Sequence, residues 1–293
     1  MPAPFICGPD TRAGTSATGL PPAVIGELAG RALRAEALLT PKPGLVDRRG
    51  GGAHDDMTLS TLLRSAEALV PVLTRCAQAA AELPLGPELR SEVGEIGRAG
   101  ERRMLRVTGG VNTHRGALWA LGLLAAGVAA RGGFAAAEFA ARLAALDDPG
   151  LHRFGTRGSH GARVRLRYGA GGALAEARNG FPHVVHVALP ALRTARRAGM
   201  SEDTARIDAL LASMAVLEDT CLLHRAGPDG LRAVQRASAA VLRAGGAGSG
   251  RGGELLRNAD RLCRTRGLSA GGSGDVLAAA LFLDSATTPR RRH

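Results

Sequence analysis

The sequence predicts an all-α protein, a single domain of about ten packed helices, and three observations carry that reading. Apolar residues recur at spacings of three and four along most of the 293 residues, which is the period of a helix face. Hydrophobic residues make up 45% of the chain, enough for a large core. Aromatics are only 3%, so that core is built mainly from Leu, Ala and Val, a palette that suits close-packed helices better than sheets.

In order, residues 1–20 are rich in Pro, Gly, Thr and Ala and read as a tail. The catalytic domain is expected over 21–285, with a basic tail at 286–293. The first periodic segment, 23–39, stops at the Thr-Pro-Lys-Pro-Gly run. Segments 58–82 and 87–106 follow, the latter closed by Thr108-Gly109-Gly110. Segment 113–131 ends at Arg-Gly-Gly, and 135–146 ends at Asp-Asp-Pro-Gly. After a glycine-rich interval come 183–198, where Val-Val-His-Val could pass for a strand but sits in helical context, and then 202–224. The last helices are expected at 229–244, 253–265 and 274–284, separated by glycine-rich turns.

Composition narrows the function. Cys7, Cys76, Cys221 and Cys263 lie far apart with no C-x-x-C pair, which fits neither a zinc site nor a disulfide framework and suggests a reducing, cytoplasmic setting. The first residues lack the basic start and apolar run of a signal peptide. The longest nearly apolar stretch, 118–130, is shorter than the roughly 20 residues that cross a bilayer. The net charge of +12 favours acidic partners. Its arginines are dispersed and hardly interleaved with aromatics, which argues against nucleic acid. Among the 38 Lys and Arg residues, Lys42 is the only lysine, which flags a position where the wide guanidinium fork is not tolerated.

Four polar segments interrupt the helical pattern. In the first, residues 40–56, Lys42 stands between two prolines, with Asp47, His54, Asp55 and Asp56 close behind. Asp55 or Asp56 could simply cap the next helix, but a long polar loop within a compact domain is often functional. In the second, Thr108-Gly109-Gly110-Val111-Asn112-Thr113-His114-Arg115-Gly116 runs into an apolar helix. A helix start offers free N–H groups to an anion; capping by Asn112 or Thr113 explains only part of the set. The third, Ser269-Ala270-Gly271-Gly272-Ser273-Gly274-Asp275, repeats that arrangement with a carboxylate. The fourth, Glu218-Asp219-Thr220-Cys221-Leu222-Leu223-His224-Arg225, places acids on an apolar helix, where burial without a cation is costly. Arg157, Ser159, His160, Arg163, Arg165 and Arg167 read as a solvated basic face. The G-x-G-x-x-G at 248–253 follows no strand, so it is not a dinucleotide fingerprint.

These segments resemble, in the same order from about 25 to 285, the motifs of the triphosphoribosyl-dephospho-CoA synthases: TPKPGLVDRRGGGAHDDM, TGGVNTHRGALWALGLL, LEDTCLLHR and AGGSGDVLAAALFLD. The Val-Asp-Arg-Arg-Gly run and Arg157-Gly158-Ser159-His160-Gly161 look more like the malonate decarboxylase branch than the citrate lyase branch. The chain departs from the family pattern at Ala270, where proline is expected, and at Gly274, where alanine is expected. The resemblance implies an all-α transferase that takes ATP and 3′-dephospho-CoA. The acceptor's ribose 2′-hydroxyl attacks C1′ of the ATP ribose and adenine leaves. The product is the prosthetic-group precursor that a separate holo-carrier transferase attaches to an acyl-carrier subunit. Neither nucleic acid nor membrane is expected as a partner.

Displacement at an anomeric carbon needs negative or dipolar groups near the sugar, a base for the hydroxyl, and cations for the polyphosphates. On that basis Lys42 and Arg115, with the amides near Gly109 and Gly110, are expected to hold the triphosphate. Glu218 and Asp219 are the first candidates for Mg²⁺, with Asp55 and Asp275 in reserve. His54 or His114 would be the general base, Asp47 would stabilise the sugar cation, and Asn112 and Gly272 would position nucleotide groups. Two other readings stay open: another helical nucleotide-dependent glycosyl transferase or hydrolase, and a basic helical nucleic-acid binder.

Overall fold

Two helices that are apolar all round, α4 (Arg115–Arg131) and α12 (Gly271–Thr287), pack against each other at the centre of the molecule. A helix without a polar face has to be covered on every side, and the remaining helices do this in two groups. The computed structural model describes residues 19–133, 135–150 and 160–287, and among these every regular element is helical. The N-terminal group is α1 (Pro22–Leu38), α2 (Leu59–Glu82), α3 (Pro87–Val107) and α5 (Ala135–Ala145), arranged around α4. The C-terminal group is α8 (Leu189–Arg197), α9 (Glu202–Val216), α10 (Thr220–Arg243) and α11 (Gly250–Thr265), and α8, α9 and α10 reach α12. Two short helices, α6 (His160–Tyr168) and α7 (Gly172–Arg178), join the groups: α6 lies on α10, and α7 lies on α4 and α5.

Local chemistry explains the main boundaries. Pro22 opens α1, where a missing N–H costs nothing. Thr58 and Thr61 form a reciprocal cap at the start of α2. Gly26 and Gly30 let α1 approach α2 closely: a Cβ at Gly26 would lie 2.0 Å from Thr74 Oγ1. These contacts fix the α1–α2 pair that carries one wall of the cavity described below.

The structure corrects several sequence-based boundaries. The segment expected as one helix over 202–224 breaks at 217–219, because Asp219 leaves the helical conformation to cap α10. The helix expected over 229–244 is continuous with 220–226 across a kink at Gly227 (φ 61°, ψ −164°), after which Pro228 restarts the turn. The glycines at 271–274 lie inside the first turn of α12, not ahead of it. Val184–Ala188 forms a π-helical turn leading into α8, so the strand reading fails. Helices α6 and α7 carry too few buried residues for an apolar period to reveal them. Most of the expected tails, 1–18 and 288–293, and part of the basic stretch, Arg157 and Ser159, lie outside the described residues.

Candidate active site

The two helical groups enclose a cavity of about 970 Å³ lined by α1, α2, α3, α4, α6, α7 and α10, the start of α12, and the loops before α2, α4 and α10. All four polar segments singled out in the sequence reach it. In its wall lies a buried group the sequence reading did not include. Glu36, on the last turn of α1, is buried and accepts from Lys42 Nζ at 2.6 Å. The Lys42 ammonium also donates to the Glu36 carbonyl at 2.7 Å, and its side chain is 1% exposed. Two of the three ammonium donors of Lys42 are therefore committed within the cavity wall, both to Glu36. Glu36 could have been found in the sequence: it continues the buried stripe Leu28, Ala29, Ala32, Leu33 at helical spacing, where an acid is expensive unless paired.

Asp47 is buried as well, but faces the loop rather than the cavity. Its oxygens accept from the amides of Lys42 (2.9 Å) and Arg49 (2.8 Å) and from the Arg49 guanidinium. Burial pushes its carboxyl up, but these bonds outweigh it and hold it below the usual carboxylate range. Arg49 continues to Asp260 on α11, so Asp47 ties the loop to the C-terminal helices. The expectation that Asp47 stabilises a sugar cation does not match this position.

The histidines differ in what they leave free. His54 Nε2 lies 2.7 Å from Ser269 Oγ, and its Nδ1 accepts from Arg225 Nη2 at 2.9 Å. Burial and then the Arg225 charge lower its pKa, so it stays neutral. His114, the residue before α4, is 4% exposed and binds Ser65 Oγ through Nδ1 at 2.8 Å. Its Nε2 has no protein partner. Burial, reinforced by Lys42 and opposed by Glu36, takes its pKa down to about 4. Neither Ser65, Ser269 nor Arg225 was expected to support a histidine, since nothing in the sequence pairs residues so far apart.

Of the expected metal ligands, Asp219 is 1% exposed and caps α10: Oδ1 accepts from the amides of Cys221 (2.9 Å) and Leu222 (3.4 Å). Its Oδ2 accepts from the amide (2.9 Å) and hydroxyl (3.1 Å) of Ser273 on α12. Burial raises its pKa over the opposition of these bonds. Asp275, two residues beyond Ser273 on α12, faces the start of α4 at Gly116. Burial, followed by the charges of Asp219 and Glu36, raises its pKa well above the usual value. Glu218 is exposed at the cavity rim, and Asp55 is exposed outside it. Among the described residues no group of three or more His, Cys, Asp or Glu side chains is set to hold a metal ion.

The remaining expected residues border the cavity. Gly109 and Gly110 take φ values of 69° and 91°, which favour glycine, and leave the space beside them open. Asn112 Oδ1 accepts from the Arg115 amide at 3.3 Å, and the Arg115 guanidinium pairs with Glu101 on α3. Gly272 passes Asp219 so closely that a Cβ would lie 3.1 Å from Oδ2. Arg165 borders the cavity from α6, while Arg163 and Arg167 form the solvated face that was expected.

Comparison with known proteins bears on the family and the fold. The model of the CitG family, ATP:dephospho-CoA triphosphoribosyl transferase, matches residues 22–292. A protein of Stutzerimonas stutzeri named as a 2-(5''-triphosphoribosyl)-3'-dephosphocoenzyme-A synthase is 51% identical over 269 residues, 90% of this chain and 91% of that one. One of Azotobacter vinelandii with the same name is 52% identical over 263 residues, 88% of this chain and 89% of its own. A crystal structure from Archaeoglobus fulgidus, assigned by name to the triphosphoribosyl-dephospho-CoA synthases, covers 77% of this chain and 98% of its own. Its TM-score of 0.54 at 16% identity is a likeness of fold.

Proposed function

The chain belongs to the ATP:dephospho-CoA triphosphoribosyl transferase family, and from that premise we propose how its own residues carry the reaction. It is a triphosphoribosyl-dephospho-CoA synthase: the 2′-hydroxyl of 3′-dephospho-CoA displaces adenine from C1′ of ATP, and the triphosphate stays on the transferred ribose. The observation that carries the residue-level reading is the meeting of four distant segments on one cavity around a buried carboxylate, ammonium and imidazole.

Glu36 takes the part expected of Asp47. Its carboxylate, paired with Lys42, borders the cavity and is the negative group there for a sugar that develops positive charge as it loses its base. His114 is the better candidate for the base. Its imidazole is neutral near pH 7 and its Nε2 is unpartnered, whereas both nitrogens of His54 are engaged. Such a weak base suffices when the electrophile is already cationic. Arg115, with the open backbone at Gly109 and Gly110, remains the seat for the triphosphate, and Asn112 sets the turn that presents it.

The donor set also fits Mg²⁺. Asp275 borders the cavity beside two other carboxylates, an arrangement that favours either a proton or a cation upon it. Mg²⁺ typically takes one or two carboxylates and completes its shell with phosphate oxygens and water, so Asp275 and the rim residue Glu218 would hold it, with Asp219 committed to its cap. When bound, the ion would neutralise triphosphate charge.

The product is proposed to serve a malonate decarboxylase acyl-carrier subunit through a separate holo-carrier transferase; the Val46-Asp47-Arg48-Arg49-Gly50 run and the 157–161 segment support that branch over citrate lyase. Restoring malonate-dependent growth to a strain lacking its own synthase would support that pathway, and rescue of citrate lyase alone would reject it. The reaction itself is tested by chromatography of ATP, Mg²⁺ and dephospho-CoA incubated with the protein. Adenine should be released only when dephospho-CoA is present; release without it identifies a hydrolase instead.

A further inference from the structure

We infer that the corner of the cavity formed by Trp119 and Arg90 is a seat for an adenine base, a reading that rests on the synthase assignment for its choice between nucleotides. Helix α3 turns one face to the cavity, carrying Arg90, Gly94, Gly97 and Arg98. Opposite stands Trp119 on α4, its indole N–H donating to the Ala173 carbonyl of α7 at 3.2 Å. The Arg90 guanidinium lies over the ring, 5.4 Å from its centroid, and is 2% exposed. The hydrogen bond and the stacked cation together fix the ring while leaving part of its surface on the cavity.

Three further features specify the ligand. Asp148 accepts from Arg90 at 3.2 Å and Arg98 at 2.7 Å, which commits both guanidiniums to one carboxylate and makes this corner a weaker seat for a polyphosphate than a bare pair of cations. Gly97 meets nothing within 4 Å of a built Cβ, which leaves a flat opening beside apolar walls at Val93 and Phe181. Lastly, the Arg90 Nε–H is buried without a protein acceptor, a costly state that an acceptor on the ligand relieves. A planar heterocycle with ring nitrogens, packed on the part of the indole that Arg90 leaves uncovered and turning a ring nitrogen to Arg90, meets all three conditions. A phosphopantetheine arm offers acceptors but no aromatic face. ATP and dephospho-CoA both carry adenine, so either supplies the same chemistry.

Trp119 is the sole tryptophan, so the indole emission of the full-length protein reports this corner directly. The protein is titrated separately with ATP, dephospho-CoA, tripolyphosphate and phosphopantetheine, using red-edge excitation to avoid adenine absorption, while calorimetry measures binding. Saturable quenching by ATP assigns the seat to the donor's base, and quenching by dephospho-CoA assigns it to the acceptor's. Quenching by tripolyphosphate or phosphopantetheine as strong as by either nucleotide overturns the inference, as does nucleotide binding in calorimetry with unchanged emission. Trp119→Leu should raise KM for the quenching nucleotide about 5-fold or more, the lower end of what losing a base–aromatic stack costs, while Trp119→Phe retains most of the affinity. An unchanged KM in a folded Trp119→Leu protein also overturns it. Adenine release separates the two levels: turnover without quenching rejects only the seat, whereas quenching without turnover keeps the seat and rejects the synthase reading.

Discussion

Arginine is the default cation of this chain, and Lys42 stands where its wider fork has no room. The ammonium fills the space between the Glu36 carboxylate and carbonyl, so Lys42→Arg should overpack the wall, costing about 1–3 kcal/mol and lowering adenine release. Lys42→Met strands the Glu36 charge, at about 3–5 kcal/mol. The pair Glu36→Gln with Lys42→Met should recover much of that stability in urea melts without recovering turnover. Composition pointed to this lysine; its partner was hidden because one acid in an apolar stripe could pair with any distant cation. His114 gives a pH test. Its folded pKa, about 4, lies below the unfolded value near 6.5, so the unfolded state binds the extra proton. The stability difference should therefore be fully present above pH 6.5 and be lost as pH falls toward 4. Across that window the wild type should lose a few kcal/mol more than His114→Gln, measured by denaturant unfolding at each pH.

At the scale of elements, the site is an arrangement of helix starts. Asp219 caps α10 with one oxygen and binds α12 with the other, joining two N-termini through a single carboxylate. Asp219→Ala removes a cap and orphans buried donors, an expected loss of about 2–4 kcal/mol, with faster hydrogen exchange at the Cys221 and Ser273 amides. Unchanged exchange at Ser273 would show that the α10–α12 link does not depend on this side chain. The starts of α4 and α12 meet where Gly116 faces Asp275: an added Cβ would lie 2.0 Å from Oδ2. Gly116→Ala should displace that carboxylate and cut turnover roughly 100-fold, as a misplacement of about 1 Å at a site commonly does. Most helices were legible because an apolar stripe is a local pattern. The break at 217–219 was not, since Ala215, Val216 and Leu217 extend the apolar period up to Asp219, and the burial of that carboxylate rests on Ser273, far along the chain.

For the whole molecule, a net charge of +12 and two polyanionic substrates predict a salt-sensitive encounter. Raising ionic strength at fixed Mg²⁺ should lower kcat/KM roughly tenfold through KM, leaving kcat nearly constant; a flat profile would show that the charge does not steer substrate. The sequence by itself determined the all-α class, the four polar segments and, through its resemblance, the family, because periodicity, turn chemistry and motif order are written along the chain. The tertiary structure decided which charges share a space. It took Asp47 out of the cavity and used it to anchor a loop, put Glu36 beside Lys42, gave Asp219 to two helix starts, and left one nitrogen of His114 unpartnered. Burial and pairing set the energy of each of these groups, and both depend on neighbours that only the packing of distant helices supplies.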